Sequence, residues 1–149
     1  MKIEHGTLVM VADGAEMLVF RNQGDEKYAF LETLSHTQQE NPATREQGSD
    51  APGRTQSRMG ERRSSYGDTD WHQQAEDRFA RTAAGTLEQA AADHADAPIV
   101  VIAAPKTLGV LRQHYGRATA ARLLAEIDKD LVGHTTDDII AVIGAHNAG

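Results

Sequence analysis

Five arginines carry the sharpest chemical signal in the chain. Arg45, Arg54, Arg58, Arg62 and Arg63 lie within or beside TREQGSDAPGRTQSRMGERRSSYGD (Thr44 to Asp68), a stretch with almost nothing to bury. The guanidinium is a planar fork of donors that matches phosphate and carboxylate, and it stays charged at any physiological pH. From Ala51 to Tyr66 the only acid is Glu61, so this segment has a local net charge of +3 inside a protein of net charge −7. That overall charge argues against a general nucleic-acid coat, whereas a concentrated cationic segment suits an anionic partner held at one place. The plainer alternative is a solvated polar segment whose charges keep it from collapsing.

A second anion-binding candidate is Lys106 with Thr107. Both follow Pro105 in the first turn of an expected helix, where free backbone N–H groups attract negative charge. His72, at the base of the Arg-rich stretch, is the histidine placed to join it, and Trp71 beside it reads as a core anchor or a stacking surface. Other chemistries lack their constellations. The seven histidines (5, 36, 72, 94, 114, 134 and 146) show no ligand spacing, and no cysteine is present, so neither a zinc site nor a disulfide is expected. Ser64-Ser65 has no nucleophile elbow or identifiable base. Gly48, Gly53, Gly60 and Gly67 do not fit a phosphate-cradling loop. Asp13 could serve a two-metal nuclease, but it is more simply the first residue of an Asp-Gly turn. No catalytic residue, metal or cofactor is therefore assigned, and the question of enzyme activity stays open.

These residues must be positioned by a modest scaffold. A chain of 149 residues, 40% hydrophobic and 25% charged, suits one soluble domain with one core, over 1–149. No apolar run approaches a membrane span and the N-terminus lacks the pattern of a secretory signal, so a cytoplasmic location without a membrane partner is expected. Two apolar runs, Thr7–Ala12 and Met17–Phe20, flank Asp13-Gly14 and predict a hairpin. Asn22–Asp25 predicts a second turn, and about Tyr28–His36 a third strand with Phe30 and Leu34 on one face. A long polar loop is expected over about 38–69, which is unusual inside a compact domain and points to function. Trp71, Ala75, Phe79, Ala83, Leu87 and Ala90 then form the stripe of a long helix, with Asp70 as cap and Gln73 reaching back to it. Ile99–Ala104 is continuously apolar, as in a strand buried on both faces. Pro105 opens a short helix ended by Gly116, and residues 118–130 fit helix and strand patterns alike. Thr135 caps a closing helix ended by Gly144, with fraying expected over about 145–149. A meander followed by a right-handed crossover places the fourth strand beside the first in a mixed sheet.

VMVADGAEMLVF, QENPATREQGSDAPGR, RRSSYGDTDWH, RFARTAAGTL, APKTLGVLR and EIDKDLVGHT, in this order, resemble the bacterial host attachment protein family, named for a protein required for attachment to host cells. That family is in turn similar to the middle domain of archaeo-eukaryotic class 1 release factors. The resemblance, from about Thr7 to Ile143, implies an α/β (α+β) fold of ribonuclease-H-like, translation-machinery type. Its five-stranded mixed sheet would have the order 3-2-1-4-5, with Leu123–Lys129 as the fifth strand. In the release factors, the connection after the third strand carries the Gly-Gly-Gln that promotes peptidyl-tRNA hydrolysis. Here that connection has only Gln47-Gly48, so the resemblance does not extend to hydrolysis. A surface adhesin would need export, which the N-terminus does not suggest, so an attachment role would be indirect.

Three readings follow. The first is a non-catalytic module that binds the ribosome or tRNA/rRNA, its loop arginines meeting phosphates. The second is an interaction or attachment factor whose loop orders on an acidic protein partner. The third is an enzyme for a small anionic ligand, using Lys106 with the loop arginines as a lid. Nothing in the sequence fixes the oligomeric state.

Overall fold

The computed structural model describes residues 1–39 and 54–146, with side chains excluded from 54 to 72. Strands β1 (Leu8–Ala12), β2 (Glu16–Asn22), β3 (Leu31–Gln38), β4 (Ile99–Ala103) and β5 (Leu123–Ile127) form one sheet in the order β3-β2-β1-β4-β5. β1–β2 and β2–β3 are antiparallel, while β4 runs parallel to both β1 and β5. The mixed sheet and its strand order agree with expectation. The helices are α1 (Arg54–Asp93), α2 (Pro105–Leu111), α3 (Arg117–Arg122) and α4 (Thr136–Ala145).

The two central strands explain the layering. Every residue of β1 and β4 is buried, because side chains alternate between two covered faces. Leu8, Met10, Ala12, Ile99, Val101 and Ala103 face Phe79, Ala83 and Leu87 of α1, together with Leu108 and Leu111 of α2. Val9, Val11, Val100 and Ile102 face the opposite layer, built from Ile139 and Ile143 of α4 with Leu131 and Ile3. Thr135 caps α4 as expected, its side chain accepting from the Asp138 N–H. The N-terminal ammonium closes the other end of that helix, donating to the carbonyls of Ile143, Gly144 and His146.

Several boundaries differ from the sequence reading. The long helix begins at Arg54 rather than near Asp70, so the part of the expected loop from 54 to 69 is helical. Arg, Gln, Met and Glu are strong helix formers, and the helix opens directly after Pro52-Gly53. Asp70 is consequently interior rather than a cap, and Gln73 bonds Asp77 one turn on at 3.0 Å. Residues 40–53, with Arg45, lie outside the described residues, as do 147–149, which hold most of the expected frayed end. The third strand starts at Leu31 instead of Tyr28. α2 stops at Leu111, and Gly116 is the N-cap of α3 rather than the end of α2. The ambiguous segment is both things in succession, helix to Arg122 and strand from Leu123.

α1 and α3 cap one another. Glu88 accepts from the Ala118 N–H (3.1 Å), the Thr119 N–H (3.0 Å) and the Thr119 hydroxyl (2.9 Å) at the start of α3. Arg122 donates in return to the carbonyls of Ala91 (2.7 Å), His94 (2.9 Å) and Ala97 (3.3 Å) around the end of α1. A Cβ at Gly116 would overlap the Glu88 carboxylate, so any larger residue there would have to displace this cap. The Thr119 N–H, then the other α3 donors and Arg122, hold the Glu88 carboxyl below its usual 4.5 against a smaller opposing effect of burial. A lowered carboxyl stabilises the fold above its unfolded-state value, and that contribution is lost as pH falls through the folded value. Between neutral pH and pH 3 the protein should therefore lose more stability than its Glu88→Gln variant, as read by urea unfolding. Coincident acid limbs would remove Glu88 from the acid response.

Candidate functional site

The C-terminal ends of β1 and β4 lie at the same end of the sheet, since the two strands are parallel. Here Asp13 is engaged in its turn, one carboxylate oxygen accepting from the Ala15 N–H (2.8 Å) and the Glu16 N–H (2.7 Å). That is the side-chain turn expected of Asp-Gly. Among the described residues, no three His, Asp or Glu side chains are grouped to hold a metal ion. His36 Nε2 on β3 and a Glu16 carboxylate oxygen on β2 lie 2.6 Å apart beside this end, within hydrogen-bond distance.

α1 meets the sheet at the same level. The Gln39 amide donates to the Ala75 carbonyl at 3.3 Å, and Glu76 packs so closely on Gly14 that a Cβ there would touch its carboxylate at 2.9 Å. N-terminal to this contact the helix continues back to Arg54, roughly 20 residues or about 30 Å of helix at 1.5 Å per residue. Positions 54, 58 and 62 lie in this part, spaced four apart and so on one helical face, with 63 adjoining. His72 belongs to the same half. Four of the five expected loop arginines, all but Arg45, thus belong to a helix whose other half packs in the core.

Lys106 and Thr107 stand at the same sheet end, in the first turn of α2 directly after β4. Lys106 is exposed and Thr107 half-buried. Ala104, the N-cap, supplies no side-chain hydrogen bond to the helix start. The fold therefore puts Lys106, Thr107 and the α1 base at a common end of the sheet. α2 itself is tied to β5 through Glu126, which accepts from Arg112 Nε (2.9 Å) and from the Tyr115 hydroxyl (2.6 Å). Burial, followed by the Glu126 contact, pushes the Tyr115 hydroxyl well above its ordinary value, so it remains a donor.

Two features escaped the sequence reading. Asn22, which looked like an ordinary turn residue, is completely buried as the hub of the β2–β3 connection. Tyr28 and Phe30, expected inside a strand, precede β3 and are exposed. The available signal was two aromatics two residues apart, just after the NQGD turn.

Among the described residues, no helix is long and apolar enough to cross a membrane. No curated protein matches the chain. A family model described as Bacterial archaeo-eukaryotic release factor family 12 matches residues 6–143, a span containing all five strands and α1 through most of α4. The chain belongs to bacterial archaeo-eukaryotic release factor family 12.

Proposed function

We propose that this protein is a non-catalytic, translation-associated module that contacts ribosomal or transfer RNA through the arginines of the N-terminal half of α1. The observation that carries this reading is the placement of Arg54, Arg58, Arg62 and Arg63 on a helix continuous with the core-packed segment, in a chain of a release-factor family. A cationic row on a helix can follow a phosphate backbone, and Arg suits that contact better than Lys. Lys106 and Thr107 would extend the anion-binding end, with His72 near the helix base and Arg45 in the preceding connection. The wider similarity to host attachment proteins and to the release-factor middle domain, with its ribonuclease-H-like fold, accords with this reading. So does a cytoplasmic site of action, from which any attachment phenotype would arise indirectly. No hydrolysis is assigned, because the connection between β3 and α1 lacks Gly-Gly-Gln.

Co-sedimentation with ribosomes from the source cells, at several salt concentrations, tests the proposal. Binding should fall steeply with salt, as each neutralised phosphate releases counterions. Arg62→Glu with Arg63→Glu should weaken binding and reduce the logarithmic salt slope by about 2, one for each phosphate that is no longer neutralised. Failure of the protein to sediment at any salt would overturn the ribosomal reading. An unchanged slope in the double variant would remove these two arginines from it.

A further inference from the structure

The opposite end of the sheet carries a second surface. β2 ends there at Asn22 and β3 begins there at Leu31, away from the level where α1 meets Gly14 and Gln39. Tyr28 is 71% exposed and Phe30 62% exposed. Ala29 between them packs into the α4-side core, so the two aromatics flank an inward-turned residue.

The loop presenting them is rigidly built. Asp25 accepts from the Lys27 N–H (3.0 Å) and the Tyr28 N–H (2.7 Å). Asn22 holds the Gly24 and Phe30 N–H groups at 3.0 Å each, and the Asp25 N–H reaches the Tyr28 carbonyl at 3.1 Å. Exposed aromatics on such a preorganised loop lose little conformational entropy on binding.

Two cations accompany the rings. Lys27 Nζ lies 5.5 Å from the Tyr28 ring centre. Arg21 has a buried Nε without a hydrogen-bond partner, and its one side-chain hydrogen bond, to Gln23, is 3.5 Å long. Glu32 is its register partner across the strands, yet none of the ion pairs among the described residues includes Arg21.

We propose that Tyr28 and Phe30 form a stacking platform for two unpaired bases of single-stranded RNA, with Arg21 and Lys27 beside it. Area separates this occupant from a second protein copy. At 71% and 62% exposure, the two side chains offer roughly 200–300 Å². A stable protein interface needs about 800 Å² per partner, whereas aromatic stacking rewards each base separately. The family's connection with release factors selects RNA as the single strand. Asp25, Glu26 and Glu32 outnumber Arg21 and Lys27 by one charge, so phosphate attraction adds little, stacking dominates and the salt dependence is shallow. That property distinguishes this surface from the arginine row of α1.

The test is fluorescence anisotropy of a labelled short oligouridylate against the full chain carrying Arg54→Glu, Arg58→Glu, Arg62→Glu and Arg63→Glu, which reverses the charge of the arginine row on the other surface. Binding should persist with little salt dependence. Adding Tyr28→Ala and Phe30→Ala should weaken it tenfold or more, because each stacked base is worth about a decade. Tyr28→Phe, which keeps the ring, should bind within about twofold of its parent, on the same stacking argument. Both aromatics are exposed, so thermal midpoints should match; should the alanine variant melt early, the Tyr28→Phe result decides. Four outcomes would overturn the platform: no binding by the parent, equal binding by the alanine variant, loss in Tyr28→Phe, or tighter binding of the corresponding deoxy-oligomer or of duplex RNA. Failure here leaves the ribosome-sedimentation result for the arginine row standing or falling by itself.

Discussion

Replacing Asn22 by alanine is expected to cost about 3–5 kcal/mol of stability, because one buried amide satisfies five backbone groups. Its Nδ2 donates to the carbonyls of Ile3 (3.1 Å), Glu4 (3.2 Å) and Asp25 (3.4 Å). Its Oδ1 accepts from Gly24 and Phe30, at 3.0 Å each. The side chain is fully enclosed, and alanine would leave these partners facing a cavity. Stranding a buried polar group costs about 1–3 kcal/mol. The total stays below the sum because several partners lie in part-exposed surroundings and can recruit water. For a chain of this length, such a loss lowers Tm by roughly 10 °C. Urea unfolding of Asn22→Ala measures it, and a cost under about 1 kcal/mol would show that the connection holds without its hub.

Leu87→Ala should have a comparable effect through packing alone, a loss of about 2–5 kcal/mol. Leu87 is 0% exposed on α1 and belongs to the cluster containing Leu8, Met10, Ile99 and Val101. Alanine removes apolar packing and leaves a void between helix and sheet that neighbours fill only in part. The slightly better helix propensity of alanine returns only a few tenths of a kcal/mol. Equilibrium unfolding should show a lower midpoint at an unchanged denaturant slope. Near-wild-type stability would mean that α1 settles onto the sheet without that side chain, contrary to the packing described.

The sheet was legible because its signals are local and chemically strong. Asp13-Gly14 between apolar runs marks the first hairpin, and the run from Ile99 marks a strand covered on both faces. The start of α1 was not legible, because residues 54–70 lack an apolar stripe and contain Gly60 and Gly67. Helix propensity sets that boundary, and periodicity cannot see it. The segment from Arg117 to Ile127 satisfied both periods because it uses both in succession, with the change at Leu123. At the functional end, the arginines and Lys106 were readable as residue types, while their common sheet end required the crossover geometry. Asn22 and the exposed aromatics stayed hidden for one reason: the sequence shows a turn without showing whether its side chains point inward or outward.

The mutual capping of α1 and α3 also constrains the order of folding. A helix of six residues, Arg117–Arg122, cannot nucleate alone, since the first turn fixes several residues for one hydrogen bond. Its first donors are met by Glu88, 30 and 31 residues earlier in the chain. The closure entropy of that intervening segment must therefore be overcome before α3 gains its cap. α1 acts as a template, and the edge strand β5, which continues directly from α3, inherits its register from a helix completed earlier.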